Sequence, residues 1–80
     1  MKLNGLRVMV VEDEVLIAML MEDLLEDLGC RVVAITARLD EAMLQARTAQ
    51  IDAATLDVNL AGELSYPVAA ILRSRSRRES

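Results

Sequence analysis

Three short apolar runs in this chain are separated by longer stretches in which apolar side chains return every three or four residues, the pattern of strands followed by helices. Leu6-Arg7-Val8-Met9-Val10-Val11 is rich in β-branched residues and stops at Glu12-Asp13-Glu14, which predicts a first strand buried on both faces. From Glu14 to Leu28 apolar residues recur at Ile17, Leu20 or Met21, Leu24 or Leu25, and Leu28, with Glu22, Asp23, Glu26 and Asp27 on the opposite side. This spacing predicts an amphipathic helix ended by Gly29 just past its last turn. Within it, the seven consecutive apolar residues from Val15 to Met21 wrap nearly all sides of the helix start. Arg31-Val32-Val33-Ala34-Ile35 predicts a second strand, and Thr36 to Leu39 a connection. Asp40 is placed to cap a second helix over residues 41–48, whose weak apolar side is Ala42, Leu44 or Gln45, and Ala46. Residues 51–57 predict a third strand, whose small residues imply close cover by helices, and Ser65 ahead of Pro67 predicts a third helix from Val68 to about Arg73.

Strands and helices in strict alternation predict an α/β fold, because parallel neighbours need a long right-handed crossover that a helix fills. We expect a parallel three-stranded sheet of order 2-1-3 with flanking helices. That order sets the carboxyl ends of the first and third strands side by side, where ligands bind in sheets of this class.

Composition then narrows the chemistry. Eighty residues make one small domain with a thin core, and 54 % apolar with 28 % charged residues excludes disorder. No run reaches the ~18 uncharged apolar residues of a membrane span, and Met1-Lys2-Leu3-Asn4-Gly5 is too short and polar for a signal peptide. A cytoplasmic location with reduced Cys30 is expected. The single cysteine and the absence of histidine remove disulfide frameworks, zinc clusters and histidine triads, leaving carboxylate chemistry. Residues 1–72 carry a charge of −7 and residues 73–80 one of +3, from Arg73, Arg75, Arg77 and Arg78 against Glu79. With Tyr66 the only aromatic, the basic segment reads as a solvated terminus and not as a nucleic-acid surface.

Glu12 and Asp13 follow the first strand directly and Asp57 ends the third, so the predicted sheet brings three carboxylates together. Taken singly, Asp13 and Glu14 suit any helix start, and Asp57-Val58-Asn59 any turn. Three converging anions repel one another unless one is protonated or a cation lies between them. Mg²⁺ accepts oxygen ligands and assists phosphoryl transfer, and an aspartate beside it can act as the nucleophile.

Val10-Val11-Glu12-Asp13-Glu14, followed by Thr55-Leu56-Asp57-Val58-Asn59-Leu60 at a spacing of forty-four residues from Asp13 to Asp57, resembles the receiver domain of two-component response regulators. The stretch from Asn59 to Val68 is similar to the segment after the phospho-acceptor in receivers common in alphaproteobacteria. The resemblance implies Asp57 as phospho-acceptor, with Mg²⁺ held by Asp13, by Asp57, by Glu12 through water, and by the backbone carbonyl of Asn59. It implies a signalling module, not an enzyme, whose partner is a histidine kinase or phosphotransfer protein; the composition adds the expectation of no nucleic-acid and no membrane partner.

The resemblance covers residues 6 to about 73, three of the five βα units of that family. The expected organisation is therefore a truncated receiver over residues 1–73 and a basic Arg/Ser tail over 74–80. The family's switch Ser or Thr and its Lys have no counterpart, so phosphorylation is expected to be impaired. An alternative role is a phosphotransfer-deficient fragment that binds partners or dimerises, and a small Mg²⁺-dependent phosphatase is disfavoured because no Asp-x-Asp follows a strand. A fifth helix would cover part of the apolar start of the first helix in a full receiver. With that surface open and the third strand at the sheet edge, a homodimer sharing its sheet in the order 2-1-3-3′-1′-2′ is expected.

Overall fold

In the computed structural model, which describes residues 4–79 and their side chains through Arg75, the first apolar run becomes β1 (Arg7–Val11). Residues 1–3, Ser80, and the side chains of the arginine tail beyond Arg75 lie outside the described residues. The chain continues through α1 (Val15–Asp27), β2 (Arg31–Thr36), α2 (Leu39–Thr48) and β3 (Ala53–Leu56). A hairpin of β4 (Asn59–Leu60) and β5 (Glu63–Leu64) then leads into α3 (Tyr66–Glu79).

β1 pairs in parallel with β2 on one side and β3 on the other, giving the predicted order β2-β1-β3. Val8, Met9, Val10 and Val11 are all at most 2 % exposed, as a central strand covered on both faces requires. Met9 and Val11 face a core formed with Ala42, Ala46, Leu60 and Val68, into which Ala54, Leu56, Ile71 and Leu72 also pack. The alanines of α2 let that helix sit close to the sheet. Arg75 fastens α3 to α2 by donating to the Ala46 carbonyl at 2.6 Å, one of the last-turn acceptors that α2 itself cannot satisfy.

Gly29 ends α1 as predicted: it takes φ +94°, its N–H bonds the Glu26 carbonyl, and the Cys30 N–H reaches back to the Leu25 carbonyl. A side chain at Gly29 would also press on Asn4, 3.1 Å from the Cβ position.

Four local expectations need correction. The face α1 buries is carried by Ala18, with Met21 and Leu25 half-buried, while Ile17, Leu20, Leu24 and Leu28 remain exposed. α2 begins at Leu39, with extended Arg38 ahead of it, so Asp40 is not a cap. It lies in the first turn, where its carboxylate accepts the Glu41 N–H at 2.8 Å and pairs with Arg38 at 3.2 Å. β3 is shorter than predicted and Ala53 is exposed, so helices do not cover it closely throughout. α3 starts at Tyr66 and runs past Arg73 to Glu79. The β4–β5 hairpin was not anticipated. No helix among the described residues is long and apolar enough to cross a membrane.

Candidate metal and phosphoryl site

The sheet ladder continues one residue past its strands and thereby builds the site. The Glu12 N–H donates to the Thr36 carbonyl at 2.9 Å, and the Asp57 N–H donates to the Val11 carbonyl at 2.9 Å. These bonds fix Glu12 at the end of β1 and Asp57 at the end of β3, with Asp13 one residue further on. Glu12, Asp13 and Asp57 each present a carboxylate oxygen within 4.8 Å of the others, the convergence expected from the sequence.

The three groups differ in setting. Glu12 is buried, at 9 % exposure, whereas Asp13 and Asp57 are half-buried. Burial pushes the Glu12 carboxyl above its usual range, the Glu14 N–H donating to it at 3.2 Å opposes this, and the negative charge of Asp57 adds to the rise. Three anions so placed disfavour one another's charge, the condition that a hard divalent cation relieves.

The hairpin after β3 holds two of these carboxylates. The Ala61 N–H donates to Asp13 Oδ2 at 3.0 Å, and the Asn59 N–H lies 3.4 Å from Asp57 Oδ1. The turn is tight because Ala61 and Gly62 both take positive φ, 52° and 92°, as two-residue hairpin turns require. The Gly62 N–H closes on the Asn59 side-chain oxygen at 2.8 Å, and Leu60 anchors the hairpin in the core at 1 % exposure. Asn59 therefore stands next to the acidic cluster, with its N–H toward Asp57 and its side chain engaged in the turn. Ala61 is the residue that sequence reasoning missed. Its contribution is a backbone N–H, which no side-chain motif reveals.

Comparison with known proteins places this arrangement in context. The family model described as the response regulator receiver domain matches residues 8–78. The solution structure of SdrG from Sphingomonas melonis Fr1 superposes with a TM-score of 0.82 at 44 % identity, over 90 % of this chain and 62 % of that one. The crystal structure of the response regulator PhyR from Brucella abortus gives a TM-score of 0.83 at 34 % identity, over 94 % of this chain and 32 % of that one. The chain thus spans less than two thirds of the length of either. Among curated proteins, none matches.

Proposed function

Because the chain belongs to the response regulator receiver domain family, we propose that it accepts a phosphoryl group on Asp57 from a histidine kinase or phosphotransfer protein. The observation that carries this reading is the convergence of Glu12, Asp13 and Asp57 at the carboxyl ends of β1 and β3. An Asp57 carboxylate oxygen attacks the phosphorus of a phosphohistidine, the P–O bond forms as the P–N bond breaks, and a proton restores the departing imidazole nitrogen. The donor set is all hard oxygen and suits Mg²⁺, with Glu12, Asp13, Asp57 and the Asn59 carbonyl holding it. When bound, Mg²⁺ supplies positive charge against the oxygens of the transferring group. Asp13, fixed by Ala61, and Glu12, fixed by Glu14, need little reorganisation to serve as ligands.

Incubation with Mg²⁺ and acetyl phosphate, followed by intact-mass measurement, should show modification that disappears in Asp57→Asn. Equal modification of wild type and Asp57→Asn would refute the assignment of the acceptor.

A second reading, a dimerising or partner-binding module, is favoured by the apolar residues that α1 leaves open to solvent. We include self-association in the proposal, as a cytoplasmic module that forms homodimers.

A further inference from the structure

Between the last turn of α2 and α3 lies an open cleft of about 440 Å³, lined by Arg47 from α2 and by Ala70, Ile71, Ser74 and Arg75 from α3. None of the three clustered carboxylates lines it. Its two cations lack a counter-charge. Arg7 and Arg38 pair with Asp52 and Asp40, whereas Arg47 and Arg75 form no ion pair among the described residues, although acidic side chains outnumber basic ones thirteen to nine in the chain. Arg31 and Arg73 are also unpaired, but both are exposed and neither lines the cleft.

Arg75 is held in place at the end of α2, where helix carbonyls carry partial negative charge: its Nη1 donates to the Ala46 carbonyl at 2.6 Å. A guanidinium has five N–H donors, and the others on Arg75 make no hydrogen bond among the described residues. Two guanidinium groups at one cleft with no carboxylate between them favour an anion there, and their planar forks match carboxylate or phosphate oxygens. Ser74 adds an exposed hydroxyl. Ala70 and Ile71 supply an apolar wall, which is fixed because Ile71 also packs against the main core.

We propose that the α2–α3 cleft binds an acidic segment of a partner protein, with a carboxylate between Arg47 and Arg75 and an adjacent apolar side chain against Ala70 and Ile71. Clustered arginines are a general means of recognising acidic motifs. The volume falls in the range of ligand pockets, about 300–1,000 Å³, and admits such a pair of side chains. A free inorganic anion would use the arginines and leave the apolar wall idle. A nucleic-acid strand would seek a stacking ring, and Tyr66, the sole aromatic, does not line the cleft. The proposal is independent of phosphoryl transfer at Asp57.

Titration of the ¹⁵N-labelled full chain, without divalent cations, with a short capped peptide alternating glutamate and leucine tests this. The amide signals of Ala70, Ile71 and Ser74 should move and saturate, and affinity should fall as salt is raised. Arg47→Gln should weaken binding at least threefold and Arg47→Gln/Arg75→Gln at least tenfold, the second Gln keeping an N–H donor for the Ala46 carbonyl. Arg31→Gln, which removes an exposed arginine elsewhere, should leave binding unchanged. Arg47 is exposed and its side chain makes no hydrogen bond among the described residues, so its single variant reads the cleft even if the double variant loses its fold. A peptide that moves none of these signals, or that binds Arg47→Gln as tightly as the wild type, overturns the proposal. So does inorganic phosphate, or a peptide alternating lysine and leucine, that produces the same shifts at the same concentration.

Discussion

Replacing Glu12 by Gln should stabilise the protein in the absence of divalent cations, although it alters a buried residue at the heart of the site. Glu12 is 9 % exposed and its carboxylate lies within 4.8 Å of those of Asp13 and Asp57. A unit-charge pair at that separation costs about 3.5 kcal/mol at an effective dielectric near 20 and about 1 kcal/mol in water. Asp13 and Asp57 are half-exposed, so solvent screening reduces the relief to about 2 kcal/mol, or roughly 10 °C in melting temperature for a domain of this size. Gln retains an acceptor for the Glu14 N–H, so that bond survives the change.

The effect has a defined pH dependence. The Glu12 carboxyl is raised above its ordinary 4.5, so the folded state holds this proton more tightly than the unfolded state. The contribution is fully present below 4.5 and is lost as pH rises through the raised folded value. Thermal melts in EDTA should therefore show Glu12→Gln close to wild type at about pH 4 and clearly more stable at about pH 7. Mg²⁺ at ten times its dissociation constant should add about 1.4 kcal/mol to the wild type and less to the variant. A Glu12→Gln protein less stable than wild type at both pH values would refute the idea that the three carboxylates strain one another.

Leu60→Ala should cost about 3–4 kcal/mol by urea denaturation, since it empties a 1 %-exposed position in the main core, and a loss under about 1 kcal/mol would show that the hairpin is not part of that core. Thr36 is buried with its hydroxyl unpartnered among the described residues, so Thr36→Val should raise stability by about 1 kcal/mol, read as a higher urea midpoint. The Arg7 guanidinium and backbone N–H hold the Asp52 carboxyl down to about 2. Its contribution is present above the ordinary carboxylate range and lost as pH falls toward 2, and in Asp52→Asn that segment of the acid denaturation curve should flatten.

What could be read from the sequence was whatever local pattern alone determines. β1 was legible because a strand buried on both faces needs no alternation, and Gly29 because the turn after α1 demands a left-handed residue. The acidic cluster was legible for a related reason: strand order alone brings the ends of β1 and β3 together. The inward face of α1 was not, because seven apolar residues in succession satisfy every phase of the helical period. The sheet resolves that degeneracy by choosing the smallest of them, Ala18, at the point of closest approach. Asp40 misled because an acidic residue suits both the cap and the first turn, and only the path of Arg38 into Leu39 separates the two.

The hairpin was hidden for a different reason, and it links the site to the fold. Alanine is a poor choice for a residue at φ 52°, so Ala61 gives no signal of a turn; what holds it there lies forty-eight residues earlier, in the carboxylate of Asp13. One side of the same hairpin inserts Leu60 into the core among Met9, Val11 and Val68. The Asp13 carboxylate is thus tied through the hairpin to the packing of α2 and α3, so a change at either end should be felt at the other. Loss of Leu60 would free Ala61, and with it the orientation of Asp13, even though Leu60 supplies no ligand to the site.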